Sequence, residues 1–192
     1  MGVVVGDATG KGAPAALVMS TTCGMLRVAA QALGTFSPGE ILERVNEALC
    51  PNIAPNMFVT CFYGVLYPES GRLLYANAGH NLPCCQRHSH QTDELKARGM
   101  PLGLMPGISY EQKETILSSG ESVLFYSDGL VEAHNPQGEM FSTPHLRCLL
   151  VEQPADAKGL TASVLEELER FTGEGWDQED DITLVALERS AQ

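Results

Sequence analysis

The 192 residues carry 24 acidic against 12 basic side chains, a formal net charge of −12. A chain of that charge repels polyanions, so nucleic acid and anionic membrane surfaces are poor candidate partners. With 44% apolar and 19% charged residues it reads as folded and not disordered, and its length suits a single domain over residues 1–192. No apolar run is read as approaching the ~20 residues of a membrane span. The Val-rich start lacks the basic flank of a signal peptide, and Gly6 stands where a myristoylation motif needs Ser or Thr. The six cysteines are scattered, several in apolar segments, which suits a reduced cytoplasmic protein better than a disulfide scaffold.

In chain order, Gly2 to Val5 reads as a buried strand ending at Gly6-Asp7. A Gly-rich turn over residues 8–12 leads into a helix from near Ala13 to about Leu33, with Pro14 in the first turn, where a missing N–H costs nothing. Ser37 and Glu40 have the capping-box spacing, and Ile41, Leu42, Val45 and Leu49 recur at helical intervals behind them. Residues 57–67 are β-branched and aromatic on both faces, as in a strand covered on both sides. The turn signal at residues 68–71 and the stretch from Arg72 to Ala78 complete a hairpin. Further strands are expected near 110–116, 122–127 and 182–188. Two more helices are expected over 144–151 and 158–171, the second with Leu160, Val164, Leu165, Leu168 and Phe171 on one face. The mixture argues for an α+β layered domain.

Three acidic positions share a setting. Asp7 ends the first strand, Asp128 ends another in Ser127-Asp128-Gly129, and Asp180-Asp181 stand directly before the last. Taken singly, each Asp reads as a turn residue or a cap. Taken together, carboxylates at strand ends beside glycines suit a cation that offsets their repulsion. Hard oxygen donors of this kind select Mg²⁺ or Mn²⁺.

Four strings carry a more specific signal: GDATGKGAPAALVMS, FVTCFYGVLYPESGRLLYANAGHNLP, FYSDGLVEA and the terminal DDITLV. In this order they resemble successive motifs of the SpoIIE/RsbU-like phosphatases, a branch of the metal-dependent protein phosphatase (PPM, type 2C) family. The resemblance implies a four-layer αββα sandwich of two antiparallel sheets flanked by helices. It also implies hydrolysis of phosphoserine or phosphothreonine by water activated on two Mn²⁺ or Mg²⁺ ions, with no covalent intermediate. By position, Asp7 would bridge the two ions and the Ala8 carbonyl would bind one of them. Asp128 and Asp180 would bind the other ion, and Asp181 would stand behind them. Members normally carry a strand pair with a further Asp motif before the GD turn. That motif is absent here, so the domain is expected to lack its N-terminal strands and to expose a sheet edge, a route to a homodimer.

The same resemblance implies a phosphorylated protein substrate, such as a STAS-type anti-sigma-factor antagonist, and an upstream sensor or receiver domain. Two other functions stay open from the residues: a non-catalytic pseudophosphatase that binds a signalling partner, and a phosphomonoesterase for small molecules. The GDATGKG turn fails as a P-loop, because three residues separate Gly6 from Gly10 and Gly12 follows Lys11. Lys11 reads as an exposed turn lysine. In Asn77-Ala78-Gly79-His80-Asn81 the Asn and His side chains are expected to tie the strand end to its neighbours. Cys84, Cys85, His88 and His90 match no zinc-finger spacing, and the segment Gln86 to Asp93 reads as a polar hairpin loop. The segment Gly99-Met100-Pro101-Leu102-Gly103 reads as a fixed turn near the site. Asp177 and Glu179 read as a solvated acidic loop or as an outer shell to Asp180.

Overall fold

The computed structural model describes residues 1–32, 37–88, 91–152 and 157–190. In chain order the first elements are β1 (Gly2–Ala8), α1 (Ala13–Ala32), α2 (Pro38–Leu49), β2 (Val59–Tyr67), β3 (Arg72–Ala78), β4 (Cys84–Gln86) and β5 (Thr92–Glu94). They are followed by β6 (Gln112–Ile116), β7 (Ser122–Tyr126), α3 (Asp128–Val131), α4 (Thr143–Glu152), α5 (Ala157–Thr172) and β8 (Leu184–Glu188). The described strands make two four-stranded antiparallel sheets, each flanked by helices, which is the α+β class expected. The chain divides into two compact units: Met1–His80 with Lys96–Ile116, and Asn81–Leu95 with Leu117–Gln192.

In the first unit the strand order is β1-β2-β3-β6, so β1 lies at an edge. Its pairing runs from Gly2 opposite Val65 to Ala8 opposite Val59. The β2–β3 hairpin closes where the Gly71 N–H reaches the Tyr67 carbonyl at 2.8 Å. Alternate β2 residues Val59, Cys61, Tyr63 and Val65 join Ile41, Leu42, Val45 and Leu49 of α2 in one core. Each of those four α2 side chains is at most 1% exposed, and full burial stabilises such side chains by about 1.5–3 kcal/mol apiece. The Ser37 hydroxyl accepts the Glu40 N–H and Pro38 occupies the first turn, so α2 begins where its capping residues predict.

The length of α1 corrects one reading. Within its 20 residues an 18-residue window has a mean hydropathy of 1.3, long and apolar enough for a membrane span, although the sequence was read as holding no such run. The apolar character comes from Leu17, Val18, Leu26 and Val28 together with alanines, interrupted by Ser20, Thr21 and Thr22, with Arg27 as the only charge. Thr22, Leu26 and Ala29 are buried against the first core, while Leu17 and Val28 are exposed. Leu33, the expected helix end, lies outside the described residues.

In the second unit the order is β5-β4-β7-β8. Leu124 and Tyr126 of β7 pack with Phe141, with Leu146 and Leu150 of α4, and with Leu160, Val164 and Leu168 of α5. Phe141 meets Phe171 edge to face at 5.3 Å. Leu165 is 44% exposed and leaves the expected apolar stripe, because one residue past Val164 turns it about 100° around the helix. The segment read as a polar hairpin loop, Gln86 to Asp93, does join a hairpin, of the short strands β4 and β5, and shares Gln86, Thr92 and Asp93 with them. Gln86 and Arg87 are accommodated there by partners distant in sequence or across the hairpin. Gln86 Nε2 donates to the Leu150 carbonyl at 2.7 Å, and Arg87 reaches Asp93 at 3.1 Å and Glu121 at 2.9 Å.

Candidate functional site

The first unit presents Asp7 at the exposed end of β1, opposite Thr60. One step further, Thr9 is fixed to Phe58 through both its amide and its hydroxyl. The Thr9 N–H donates to the Phe58 carbonyl at 3.0 Å, and the Phe58 N–H donates to Thr9 Oγ1 at 2.9 Å. Antiparallel pairs alternate between bonded and non-bonded, so a bonded pair at Thr9 makes Ala8 opposite Val59 a non-bonded one. The Ala8 carbonyl therefore points away from β2 along the edge of the sheet and is not used by that ladder. Gly10 and Gly12 have φ of +95° and +74°, which lets the chain leave the strand and enter α1 within four residues. Lys11 is exposed on this turn.

The second unit brings Asp128 and the Asp180-Asp181 pair to one place. Ser127, between β7 and α3, donates its amide to the Thr183 carbonyl at 3.1 Å. Its hydroxyl accepts the Thr183 N–H at 2.9 Å and donates to the Asp181 carbonyl at 3.0 Å. These three bonds clasp the 180–183 segment against the start of α3. Gly129 is required there by contact: a Cβ would lie 2.5 Å from the Asp181 carbonyl oxygen. Asp128 is half-buried with Oδ1 accepting the Gly129 N–H at 3.0 Å, and Asp180 is exposed with Oδ1 accepting the Asp181 N–H at 2.9 Å. Each of these bonds comes from a neighbouring main-chain amide. Among the described residues no Lys or Arg forms an ion pair with Asp128, Asp180 or Asp181.

This chemistry fits a divalent cation: acceptor-only carboxylates held by main-chain contacts and not neutralised by a basic side chain. The fit is partial within either unit, since among the described residues no three His, Cys, Asp or Glu side chains are grouped to hold a metal. Asp7 and Ala8 belong to the first unit, Asp128 and Asp180 to the second.

The remaining candidates separate from this chemistry. Asn77 clamps the main chain of His80, donating from Nδ2 to its carbonyl and accepting its N–H, both at 2.8 Å, which is the tying role read for the motif. Glu179 is hydrogen-bonded to His134 at 3.1 Å, and Asp177 is exposed. Cys84 and Cys85 are buried in β4, where burial pushes their thiols up to about 11 and about 12. Such groups stay protonated and are poor metal ligands or nucleophiles. His90 lies outside the described residues. The 99–103 segment is a fixed turn, with Leu102 exchanging main-chain bonds with Val59 at 2.8 and 2.9 Å. Two contributors escaped the sequence reading. Ser127 stood beside a named Asp without its clasp being legible, and Thr60 is brought beside Asp7 by strand register across 53 positions.

Comparison with known proteins matches residues 1–190 to the family described as Stage II sporulation protein E (SpoIIE). The chain belongs to the SpoIIE family, a branch of the metal-dependent protein phosphatases. Phosphoserine phosphatase RsbU of Bacillus subtilis is 28% identical over 191 residues, covering 97% of this chain and 55% of RsbU. The crystal structure of the RsbU and RsbW domains of Rv1364c from Mycobacterium tuberculosis superposes with a TM-score of 0.83 at 31% identity. It covers 99% of this chain and 53% of that one. The catalytic domain of the serine/threonine phosphatase PstP in complex with two manganese ions shares the fold, with a TM-score of 0.68 at 13% identity over 96% of this chain and 86% of PstP. The chain thus spans about half the length of RsbU and of the Rv1364c structure.

Proposed function

We propose that this chain is a divalent-metal-dependent serine/threonine protein phosphatase domain that releases phosphate from a phosphorylated signalling protein. The observation that carries the reading is the Ser127 clasp, which presents Asp128 and Asp180 together without a basic partner. Asp7 and the edge-facing Ala8 carbonyl are the other groups that the family resemblance assigns to metal binding. Mn²⁺ or Mg²⁺ bound there would supply a water of lowered pKa and offset charge on the phosphoryl oxygens. The chain's own part is to hold the carboxylates in place through main-chain bonds before substrate arrives, which lowers the reorganisation needed for reaction. The substrate class that fits this branch is a STAS-type anti-sigma-factor antagonist phosphorylated on Ser or Thr, under control of a sensor or receiver domain.

Phosphate release from a phosphoserine protein, measured with Mn²⁺ and with chelator, tests the reading. Asp128→Asn is expected to lower turnover by on the order of 10³ while leaving the fold intact. Release that survives both the chelator and Asp128→Asn overturns it. The sparse grouping of acidic side chains within each unit favours a second reading, a pseudophosphatase that binds its partner without turnover. A well-folded chain that binds a phosphoprotein with no metal-dependent release supports that one.

A further inference from the structure

The end of β1 is held by more than its ladder. Thr60 Oγ1 donates to the Asp7 carbonyl at 3.4 Å and lies 3.0 Å from His80 Nδ1. One hydroxyl has one proton, and a carbonyl can only accept. If Thr60 gives its proton to Asp7, its oxygen is left to accept, and the imidazole nitrogen facing it must donate. The opposite assignment sends the Thr60 proton to Nδ1 and sets the two oxygens facing each other with no proton between them. Both contacts are satisfied together only when His80 carries a proton on Nδ1.

The imidazole is in position to serve. His80 is 6% exposed, and the two 2.8 Å bonds from Asn77 fix its main chain. The restrained group is the Asp7 carbonyl, which belongs to the planar peptide joining Asp7 to Ala8. Pinning its oxygen fixes the plane between the carboxylate and the carbonyl assigned to the metal. We infer that Asn77, His80 and Thr60 form a positioning relay, in which Nδ1–H of His80 donates to Thr60 and Thr60 donates to Asp7, setting the Asp7–Ala8 peptide. The value of this relay to metal binding rests on the phosphatase reading; the relay itself does not.

Two measurements test it on the whole chain. Nitrogen-15 NMR of the metal-free protein, above the ordinary titration range of histidine, reads which ring nitrogen of His80 carries the proton. Nδ1–H is expected, and Nε2–H overturns the relay. Titration of Mn²⁺ by electron paramagnetic resonance then compares Thr60→Val, which keeps shape but not the hydroxyl, with Thr60→Ser, which restores it. Thr60→Val is expected to weaken Mn²⁺ binding by about 10–100-fold, with Thr60→Ser near the parent. The Tm of Thr60→Val should fall by only about 2–4 °C. His80→Asn keeps an N–H donor near Nδ1 and should retain most of the affinity that His80→Phe loses. Parent-like affinity in Thr60→Val overturns the positioning role. A folded parent that binds no Mn²⁺ sinks the metal reading instead, and the nitrogen shifts go on to decide the relay.

Discussion

The two strand ends that carry the acidic groups are held in different ways. In the first unit the β1–β2 register does most of the holding: Asp7, Ala8 and Thr9 stand opposite Thr60, Val59 and Phe58 along a continuous ladder. In the second unit the 180–183 segment precedes β8 and is outside any named strand. There one serine hydroxyl and one glycine hold it against the start of α3. A ladder spreads the load over many bonds, so the loss of one side chain costs the fold there little, even where, as at Thr60, it weakens metal binding. A clasp concentrates the load, so single substitutions should release Asp180 and Asp128 from each other while the rest of the fold survives.

The largest break in that contrast is expected from Gly129→Ala. Its Cβ meets a main-chain oxygen at 2.5 Å, which cannot rotate away as a side chain can. A loss of about 3 kcal/mol in chemical denaturation is expected, together with loss of Mn²⁺ binding. Ser127→Ala is next. It removes both hydroxyl bonds while creating no clash, and should cost about 2 kcal/mol and roughly tenfold in Mn²⁺ affinity. A Ser127→Ala chain with parent-like affinity would show that the clasp does not organise the site.

Glu121→Gln sharpens the comparison from elsewhere in the second unit. Burial works to raise the Glu121 pKa, but the Ser118 N–H and Arg87, each at 2.9 Å, outweigh it and hold the carboxyl below its ordinary value. A depressed folded pKa gives stability that is present above the ordinary carboxylate range and lost as pH falls through the folded value. The substitution should cost about 1 kcal/mol at neutral pH, because Arg87 keeps Asp93 and Gln still accepts. Denaturation at stepped pH should show a flatter acid limb, and Mn²⁺ affinity should stay at the parent level. An unchanged acid limb would remove Glu121 from the groups that titrate on unfolding.

Much of this was legible in the residues. Periodic apolar spacing marked α2 and α5, capping chemistry marked the start of α2, a β-branched and aromatic run marked β2, and the turn signal after it marked β3, because these signals are local in the chain. The ordered motifs pointed to the family and to Asp7, Asp128 and Asp180. Short elements were missed: β4 and β5 have three residues each and α3 four, too few to show a period. Their polar side chains are stabilised by partners distant in sequence, such as Glu121 for Arg87 and Leu150 for Gln86. The apolar weight of α1 was missed because its leucines and valines are spread among alanines and broken by Ser20, Thr21, Thr22 and Arg27. The sequence by itself determined which residues carry the chemistry and which segments repeat with helical or strand period. Only the tertiary structure decided that Thr60 lies beside both Asp7 and His80, and that Ser127 closes on Asp181 and Thr183. Those contacts join residues 20 to 56 positions apart through strand register and a loop closure, and neither leaves a periodic trace in a single chain.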